Sequence, residues 1–147
     1  MKDKCLIDTS IFIAAYTNAE SLEKKEIARD FLIKLHNTNA AYVSVQTLVE
    51  YINITKYKLK VSDVDILRKD INNIQNMFNM VSCSSNTIID ALELCFEKNI
   101  YFFDALLVQT MLENGIRTIY TENTMDFKKI SGIKVINPFN KKIKIKK

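Results

Sequence analysis

The chain has 147 residues, of which 48% are apolar, and this is enough for one domain with one hydrophobic core. Its two glycines, at positions 115 and 132, exclude a G-x-G-x-x-G turn and a G-x-x-x-x-G-K-[ST] loop, and with them the usual dinucleotide and P-loop sites. The net charge is +4, no apolar run approaches the ~20 residues of a membrane span, and the N-terminus lacks a signal-peptide pattern, so we expect a cytoplasmic protein.

Predicted strands alternate with predicted helices along the chain. In chain order the pattern predicts a strand over 4–8, helices over 11–16 and 20–37, a strand over 41–45, helices over 46–58 and 63–79, a strand over 80–83, helices over 87–98 and 104–114, and strands over 117–120 and 133–136. This alternation indicates a three-layer α/β/α domain with a central, mainly parallel sheet. We expect the domain to span residues 1–140, followed by a tail over 141–147.

Short polar side chains that cap helices mark several of the predicted helix starts. Ser10 is expected to cap the first helix. The fourth and fifth helices are expected to begin after Ser62 or Asp63 and after Ser85 or Asn86.

Four acidic residues interrupt or follow apolar segments that lie far apart in the chain: Asp8, Glu50, Asp104 and Asp126. A buried carboxylate without a partner costs several kcal/mol, so an acid in apolar surroundings needs a cation or hydrogen-bond donors. Sites in open α/β sheets form at the carboxyl ends of strands, where Asp8 and Asp126 are expected. Each acid alone also fits a cap, a turn, an ion pair or the surface. Together they favour one shared metal site.

Asp104 has the most informative position. It is expected to open a helix that Gly115 ends, with Val108, Met111 and Leu112 on its own face. The polar face of this helix is predicted to carry its other polar residues, Gln109, Thr110, Glu113 and Asn114. Asp104 is therefore predicted to point towards the core side, although it also fits a simple N-cap.

A site built only from carboxylates favours a hard cation. Oxygen ligands without histidine or cysteine favour Mg²⁺ or Mn²⁺ over zinc, and such ions activate water and bind phosphoryl oxygens. The single histidine, His36, lies in a polar helix end and is interpreted as a surface residue, so Ser-His-Asp and Cys-His catalysis fit poorly. Cys5, Cys83 and Cys95 have no C-x-x-C spacing and are predicted to be buried free thiols. Phosphodiester hydrolysis is the natural chemistry of such a site.

The positive charge is concentrated at the C-terminal end. Five lysines lie there, namely Lys141, Lys142, Lys144, Lys146 and Lys147, and without them 16 basic residues face 17 acidic ones. A lysine-rich tail binds phosphates by counterion release. It also occurs as a solvated terminus that keeps a protein soluble. The sequence leaves both interpretations open.

The acidic segments form an ordered set of motifs. They are Asp8-Thr9-Ser10 after the first strand, the segment 44–50 that ends in Glu50, the segment 103–107 around Asp104, and the segment 121–127 followed by 132–139. In order and spacing this set resembles PIN-domain nucleases over residues 4–139. It is most similar to the VapC toxins of bacterial toxin–antitoxin modules.

The resemblance implies roles for these residues. Asp8, Glu50, Asp104 and Asp126 would hold one or two Mg²⁺ or Mn²⁺ ions that activate water to cut RNA. Thr9 and Ser10 would support Asp8 or a metal-bound water, and Asn123 matches a polar position near the site. Glu122 stands where an arginine or another residue is common, which leaves open whether Asp126 or Glu122 completes the fourth acidic position. The resemblance also implies a homodimer and a small antitoxin partner.

Two other functions compete with a ribonuclease. One is a catalytically silent PIN-like module that binds RNA or a protein, although the complete acidic quartet argues against it. The other is a metal-dependent phosphatase or DNA nuclease on a similar scaffold. A phosphatase of that kind usually carries a second aspartate two residues after the first, where this chain has Ser10.

Overall fold

One parallel sheet lies at the centre of the protein. The structure is a computed structural model, and it describes residues 3–140. The strands are β1 Cys5–Ile7, β2 Ala41–Ser44, β3 Asn79–Val81, β4 Thr118–Tyr120 and β5 Lys134–Ile136. Their spatial order is β3-β2-β1-β4-β5, and every neighbouring pair is parallel. The first strand in the chain is therefore the middle strand of the sheet.

Within residues 3–140, six α-helices accompany the sheet. They are α1 Thr9–Tyr16, α2 Leu22–Thr38, α3 Val45–Asn53, α4 Val64–Met77, α5 Ser85–Lys98 and α6 Phe102–Glu113. A π-helix over Ile54–Lys58 follows α3, and a 3₁₀ turn over Phe127–Lys129 precedes β5. The predicted helix over 46–58 thus changes type at Ile54, whose carbonyl accepts a hydrogen bond from the Leu59 N–H at 3.0 Å.

The helices cover both faces of the sheet, as the alternation in β1 shows. Cys5 and Ile7 pack with buried residues of α1 to α4 on one face. Leu6 points the other way and packs with buried residues of α5 and α6. Side chains alternate across a strand, so one three-residue strand contributes to both cores. The predicted three-layer α/β/α class with a parallel sheet is confirmed.

Two of the predicted helix caps are wrong by one or two residues. Asp8, not Ser10, caps α1, because its Oδ1 accepts the Thr9 N–H at 2.8 Å. Ser84, not Ser85 or Asn86, caps α5 in a capping box with Thr87. Asp63, one of the two alternatives, caps α4.

Helix α6 differs from its prediction at its start and along one face. It begins at Phe102 after the cap residue Tyr101, so Asp104 lies in the first turn and does not open the helix. Thr110, predicted on the polar face, is fully buried, and its hydroxyl donates to the Leu106 carbonyl at 2.9 Å. Gly115 follows the helix at a φ of 69°, a conformation that glycine adopts without strain.

The remaining predictions concern the cysteines, His36, membrane-spanning segments and the C-terminal tail. All three cysteines are free, but only Cys5 is buried, and its burial raises the pKa of its thiol to about 11. His36 is exposed, as predicted, with Nδ1 2.8 Å from the Met77 carbonyl oxygen. Within residues 3–140 there is no helix with the length and apolar character to cross a membrane. The lysine-rich tail lies outside the described residues.

Candidate functional site

The site is built on the neighbouring strands β1 and β4. Ile7 pairs with Tyr120 in the parallel register, and the Asp8 N–H continues the ladder by donating to the Tyr120 carbonyl at 3.0 Å. The next residues along both strands, Asp8 and Thr121, are therefore neighbours. The buried Thr121 hydroxyl donates to Asp8 Oδ2 at 2.7 Å. This is also where the strand order reverses, the usual place for a site in an open parallel sheet.

A second contact connects Asp8 to Glu50 through Thr9. The Thr9 N–H donates to Asp8 Oδ1, and the Thr9 hydroxyl donates to Glu50 Oε1 at 3.3 Å. Thr9 is 5% exposed, so the surrounding core restricts its side chain. The backbone and hydroxyl of one residue thus position two acids that are 42 positions apart.

The other two acids meet at the start of α6. The Asp104 and Asp126 carboxyl groups lie within hydrogen-bonding reach of each other, and the charges of Asp8 and Glu50 also act on Asp104. Asp126 Oδ2 accepts the Tyr101 N–H at 3.0 Å, which ties the loop after β4 to the cap of α6. The structure therefore brings together all four acids that the sequence singled out.

Burial and, for Glu50 and Asp104, neighbouring charges make the ionised forms of these acids costly. Burial is the main cause that raises the pKa of Asp8, against the opposing hydrogen bonds from Thr121 and Thr9. Burial and then the Asp8 charge raise the pKa of Glu50, and hydrogen bonds from Thr9 and Gln46 oppose this. Burial, the Asp126 carboxyl and the charges of Asp8 and Glu50 raise the pKa of Asp104 to about 7.

No basic side chain compensates these four acids within residues 3–140. The ion pairs there join Lys24 to Glu20 and Glu122, and Arg68 to Asp65. Several carboxylates in one half-buried place without a partner cation repel each other strongly. The arrangement is therefore suited to a bound cation.

The remaining predicted residues have mixed positions. Glu122 forms an ion pair with Lys24, whereas Asp126 is the acid that acts on Asp104. Ser10 lies beside this pair, because its Oγ accepts the Glu122 N–H at 3.1 Å. The side chain of Asn123 is exposed, and its N–H donates to Thr121 Oγ1 at 3.1 Å.

Two residues at the site were missed by the sequence prediction. Thr121 holds Asp8, and the alignment of β1 with β4 is the signal that would have found it. Gln46, in the first turn of α3, acts on Glu50 and donates through Nε2 to the Phe103 carbonyl at 2.8 Å. No sequence pattern indicated this bridge between α3 and α6.

The donor chemistry fits a hard divalent cation, but the side chains do not form a finished coordination shell. Among the described residues no group of three or more His, Cys, Asp or Glu side chains is arranged to hold a metal ion. Both Asp8 oxygens and Asp126 Oδ2 accept protein hydrogen bonds, and each of these carboxylate oxygens keeps a second lone pair that can face a cation.

The sheet order and the acidic edge define the class of protein: an α/β domain with a cluster of carboxylates at the carboxyl ends of its central strands. Residues 5–133 match the sequence model of the PIN domain, so the chain belongs to the PIN-domain family. No curated protein matches the chain in sequence.

Solved structures share this fold at low sequence identity. A toxin–antitoxin complex from Klebsiella pneumoniae matches with a TM-score of 0.67 and 20% identity, over 93% of this chain and 99% of that one. DNA-bound VapBC from Salmonella typhimurium matches at 0.68 and 18%, over 93% and 99%. The VapC20 toxin of Mycobacterium tuberculosis, described as a sarcin–ricin loop cleaving toxin, matches at 0.67 and 13%, over 85% and 94%. Identities this low establish the shared fold.

Proposed function

We propose that this protein is a Mg²⁺- or Mn²⁺-dependent endoribonuclease and the toxin of a type II toxin–antitoxin system. The observation that carries the proposal is the convergence of Asp8, Glu50, Asp104 and Asp126 at one sheet edge, without a basic partner among the described residues. Carboxylate clusters of this kind bind hard cations, and bound cations of this kind promote phosphodiester hydrolysis.

In this proposal the acids bind the metal and two threonines orient the acids. The four acids would hold Mg²⁺ or Mn²⁺, which when bound supplies activated water and neutralises phosphoryl charge. Thr121 and Thr9 orient Asp8, and the Thr9 hydroxyl also orients Glu50. Such supporting hydrogen bonds fix the orientation of metal ligands and strengthen binding.

The structural neighbours support the choice of substrate and setting. One of them is described as a toxin–antitoxin complex, two as VapBC bound to DNA, and one as a toxin that cleaves the sarcin–ricin loop. We transfer to this chain an RNA substrate, a small antitoxin that blocks cleavage, and a cytoplasmic location. Co-expression with a candidate antitoxin should give a stable complex on size-exclusion chromatography and should suppress cleavage by the complex.

The proposed homodimer is supported by an apolar stripe on α5. Ile88, Leu92 and Phe96 recur every four residues, and Phe96 is 81% exposed. Helical side chains four apart share a face, and contiguous exposed apolar surface marks interaction sites. Light scattering should give the mass of two chains, and Phe96→Glu should give the mass of one.

The central test is cleavage of RNA by the purified protein. We expect total RNA to yield discrete fragments with Mg²⁺ or Mn²⁺ and none with EDTA. Asp104→Asn should abolish both this cleavage and growth arrest in cells, because it removes one carboxylate from the cluster. Asp30→Asn, an exposed acid on α2, is the matched control and should cut like the parent.

Two results would contradict the proposal. Cleavage that persists in Asp104→Asn with an intact fold would show that the acids do not do the chemistry. RNA binding that ignores both metal and the acid variants, without any cleavage, would instead favour the silent binding module.

A further inference from the structure

Two aromatic rings are exposed directly beside the acidic cluster. Tyr101 is 61% exposed and Phe103 is 43% exposed, on either side of the first residue of α6. Their ring centroids are 5.5 Å apart with the planes tilted by 53°. Aromatic side chains of this size gain most by burial, so a solvent-facing pair next to a site suggests a ligand that covers it.

Hydrogen bonds hold the backbone of both aromatic residues in place relative to the acids. The Tyr101 N–H donates to Asp126 Oδ2 at 3.0 Å, and the Phe103 carbonyl accepts from Gln46 Nε2 at 2.8 Å. Phe103 also contacts the half-buried Phe102, with centroids 5.8 Å apart. The aromatic pair is thus held on the same backbone that positions Asp104.

A cavity opens between Phe103 and Glu50. It measures about 300 Å³, and most of its lining is apolar, from Val45, Val49 and Cys83. This is the small end of the ~300–1,000 Å³ found for ligand pockets. A cavity of this size suits one flat apolar group of a longer ligand that extends towards Glu50 better than it suits a large compact ligand.

Lysines also lie close to Tyr101. Lys128 and Lys129 follow Asp126 in the 3₁₀ turn, and Lys129 Nζ donates to the Asn99 carbonyl at 3.2 Å, two residues before Tyr101. Lys98 at the end of α5 is also exposed. Flat rings, a small apolar cavity and nearby cations together suit a strand with bases and phosphates.

We propose that Tyr101 and Phe103 form a stacking platform for unpaired bases of an RNA strand next to the scissile phosphate. This inference rests on the proposed ribonuclease function and specifies its substrate as single-stranded at the cut. One base would stack on Phe103 at the cavity, and its neighbour on Tyr101, with the phosphates near the lysines. Every base has a π face, so the platform accepts any sequence.

The test measures base stacking separately from cleavage. The full-length Asp104→Asn protein, with Mg²⁺, is titrated with a mixed-sequence single-stranded RNA 12-mer carrying 2-aminopurine at its centre. We expect binding that quenches the 2-aminopurine fluorescence. Phe103→Ala and Tyr101→Ala should each weaken binding about 5- to 100-fold and reduce the quench, the range expected for loss of one stacked base.

Matched variants separate stacking from damage to the fold. Phe103→Tyr keeps an aromatic face and should keep both affinity and quench. Tyr57→Ala removes an aromatic side chain that is 62% exposed on the π-helix, outside the cavity lining, and should change neither. A duplex form of the same RNA should bind more weakly than the single strand.

Several results would overturn the inference. One is absence of binding to the 12-mer, and another is unchanged affinity and quench in both alanine variants. A third is unchanged RNA binding together with an altered oligomeric mass in these variants, which would identify Tyr101 and Phe103 as part of a protein interface. Cleavage of total RNA by the parent protein reports on the proposed function by itself. If the protein cuts RNA but Phe103→Ala has no effect on binding or quench, only the stacking platform is refuted. If the protein stacks bases but never cuts, only the proposed nuclease function is refuted.

Discussion

At the scale of single residues, the acids of the site have opposite effects on stability and function. Asp8, Glu50 and Asp104 all have raised pKa values, mainly because of burial. A raised pKa of an acid means that the folded state holds its protons more tightly than the unfolded chain does. Such acids make the protein less stable at neutral pH, a cost that the proposed cation would offset when bound.

Asp104→Asn should therefore stabilise the protein in EDTA. Asp104 has a pKa of about 7 when folded against an ordinary value of 3.8, so stability falls as pH rises from about 4 to 7 and stays low above that. The variant removes this loss, and we expect a gain of about 1 to 2 kcal/mol at pH 8 after allowance for partial exposure. Thermal melting at pH 5 and pH 8 measures it.

The pH dependence distinguishes this effect from ordinary stabilisation. The gain should shrink at pH 5, where the parent carboxyl is already protonated when folded. Asp30→Asn on the exposed face of α2 should change the melting temperature little at either pH. Equal stability of Asp104→Asn and the parent at pH 8 would show that the cluster does not destabilise the fold.

Thr121→Val should weaken metal binding without loss of the fold. Valine fills the same buried space but cannot donate to Asp8 Oδ2 or accept the Asn123 N–H. Loss of a supporting hydrogen bond of this kind lowers metal affinity about 10- to 100-fold. Calorimetric titration with Mn²⁺ measures this. Thr121→Ser keeps the hydroxyl and should retain the affinity, and an unaltered affinity in the valine variant would mean that Thr121 has only a packing role.

At the scale of elements, helix α5 depends on its capping box. Ser84 Oγ accepts the Thr87 N–H at 3.4 Å, while Thr87 Oγ1 accepts the Ser84 N–H at 3.0 Å and donates to Glu113 on α6 at 2.7 Å. Ser84→Ala should cost about 1 kcal/mol of unfolding free energy. Urea denaturation measures this, with Ser85→Ala as the neighbouring control. RNA cleavage should stay unchanged, and a loss of stability no greater than that of Ser85→Ala would refute the role of the cap.

Strand positions and helix starts were predictable from the sequence to within one or two residues, whereas the capping residues were less so. A short apolar run such as Cys5–Ile7 is readily recognised, because in a domain of this size it is best buried as a strand of the central sheet. A cap depends on which of several adjacent polar residues reaches a free N–H, as Asp8 does in place of Ser10. The burial of Thr110 on α6 was likewise not predictable from residue type. Its hydroxyl donates to a carbonyl of its own helix, so this polar side chain can be fully buried.

The acids of the candidate site could be predicted from the sequence, but the residues that support them could not. Glu50 and Asp104 stand out because a carboxylate is the wrong residue for an apolar run. Thr121 does not stand out, since threonine is ordinary at a strand end and its role depends on the alignment of β1 with β4, 113 residues away. Gln46 likewise acquires its role only when α3 and α6 meet.

At the scale of the whole molecule, the charge is divided between a nearly neutral body and a basic tail. Removal of residues 141–147 deletes five lysines. We expect weaker RNA binding and a flatter dependence of the logarithm of affinity on the logarithm of salt, with a slope smaller by up to about 3.5 if all five lysines contact phosphates. Binding titrations of the Asp104→Asn protein at several salt concentrations measure this. An unchanged slope would identify the tail as a solvated terminus, and the metal requirement should be the same with or without it.

The position of β1 in the middle of the sheet has a consequence for how the protein is made. Asp8 leaves the ribosome early, but its partner Thr121 and the fourth acid, Asp126, follow more than a hundred residues later. β1 has no neighbour on its β4 side until then, so the acidic cluster cannot be complete before residue 126 has emerged. A growing chain therefore carries no complete site, and any activity against RNA begins only after translation of the domain is essentially finished.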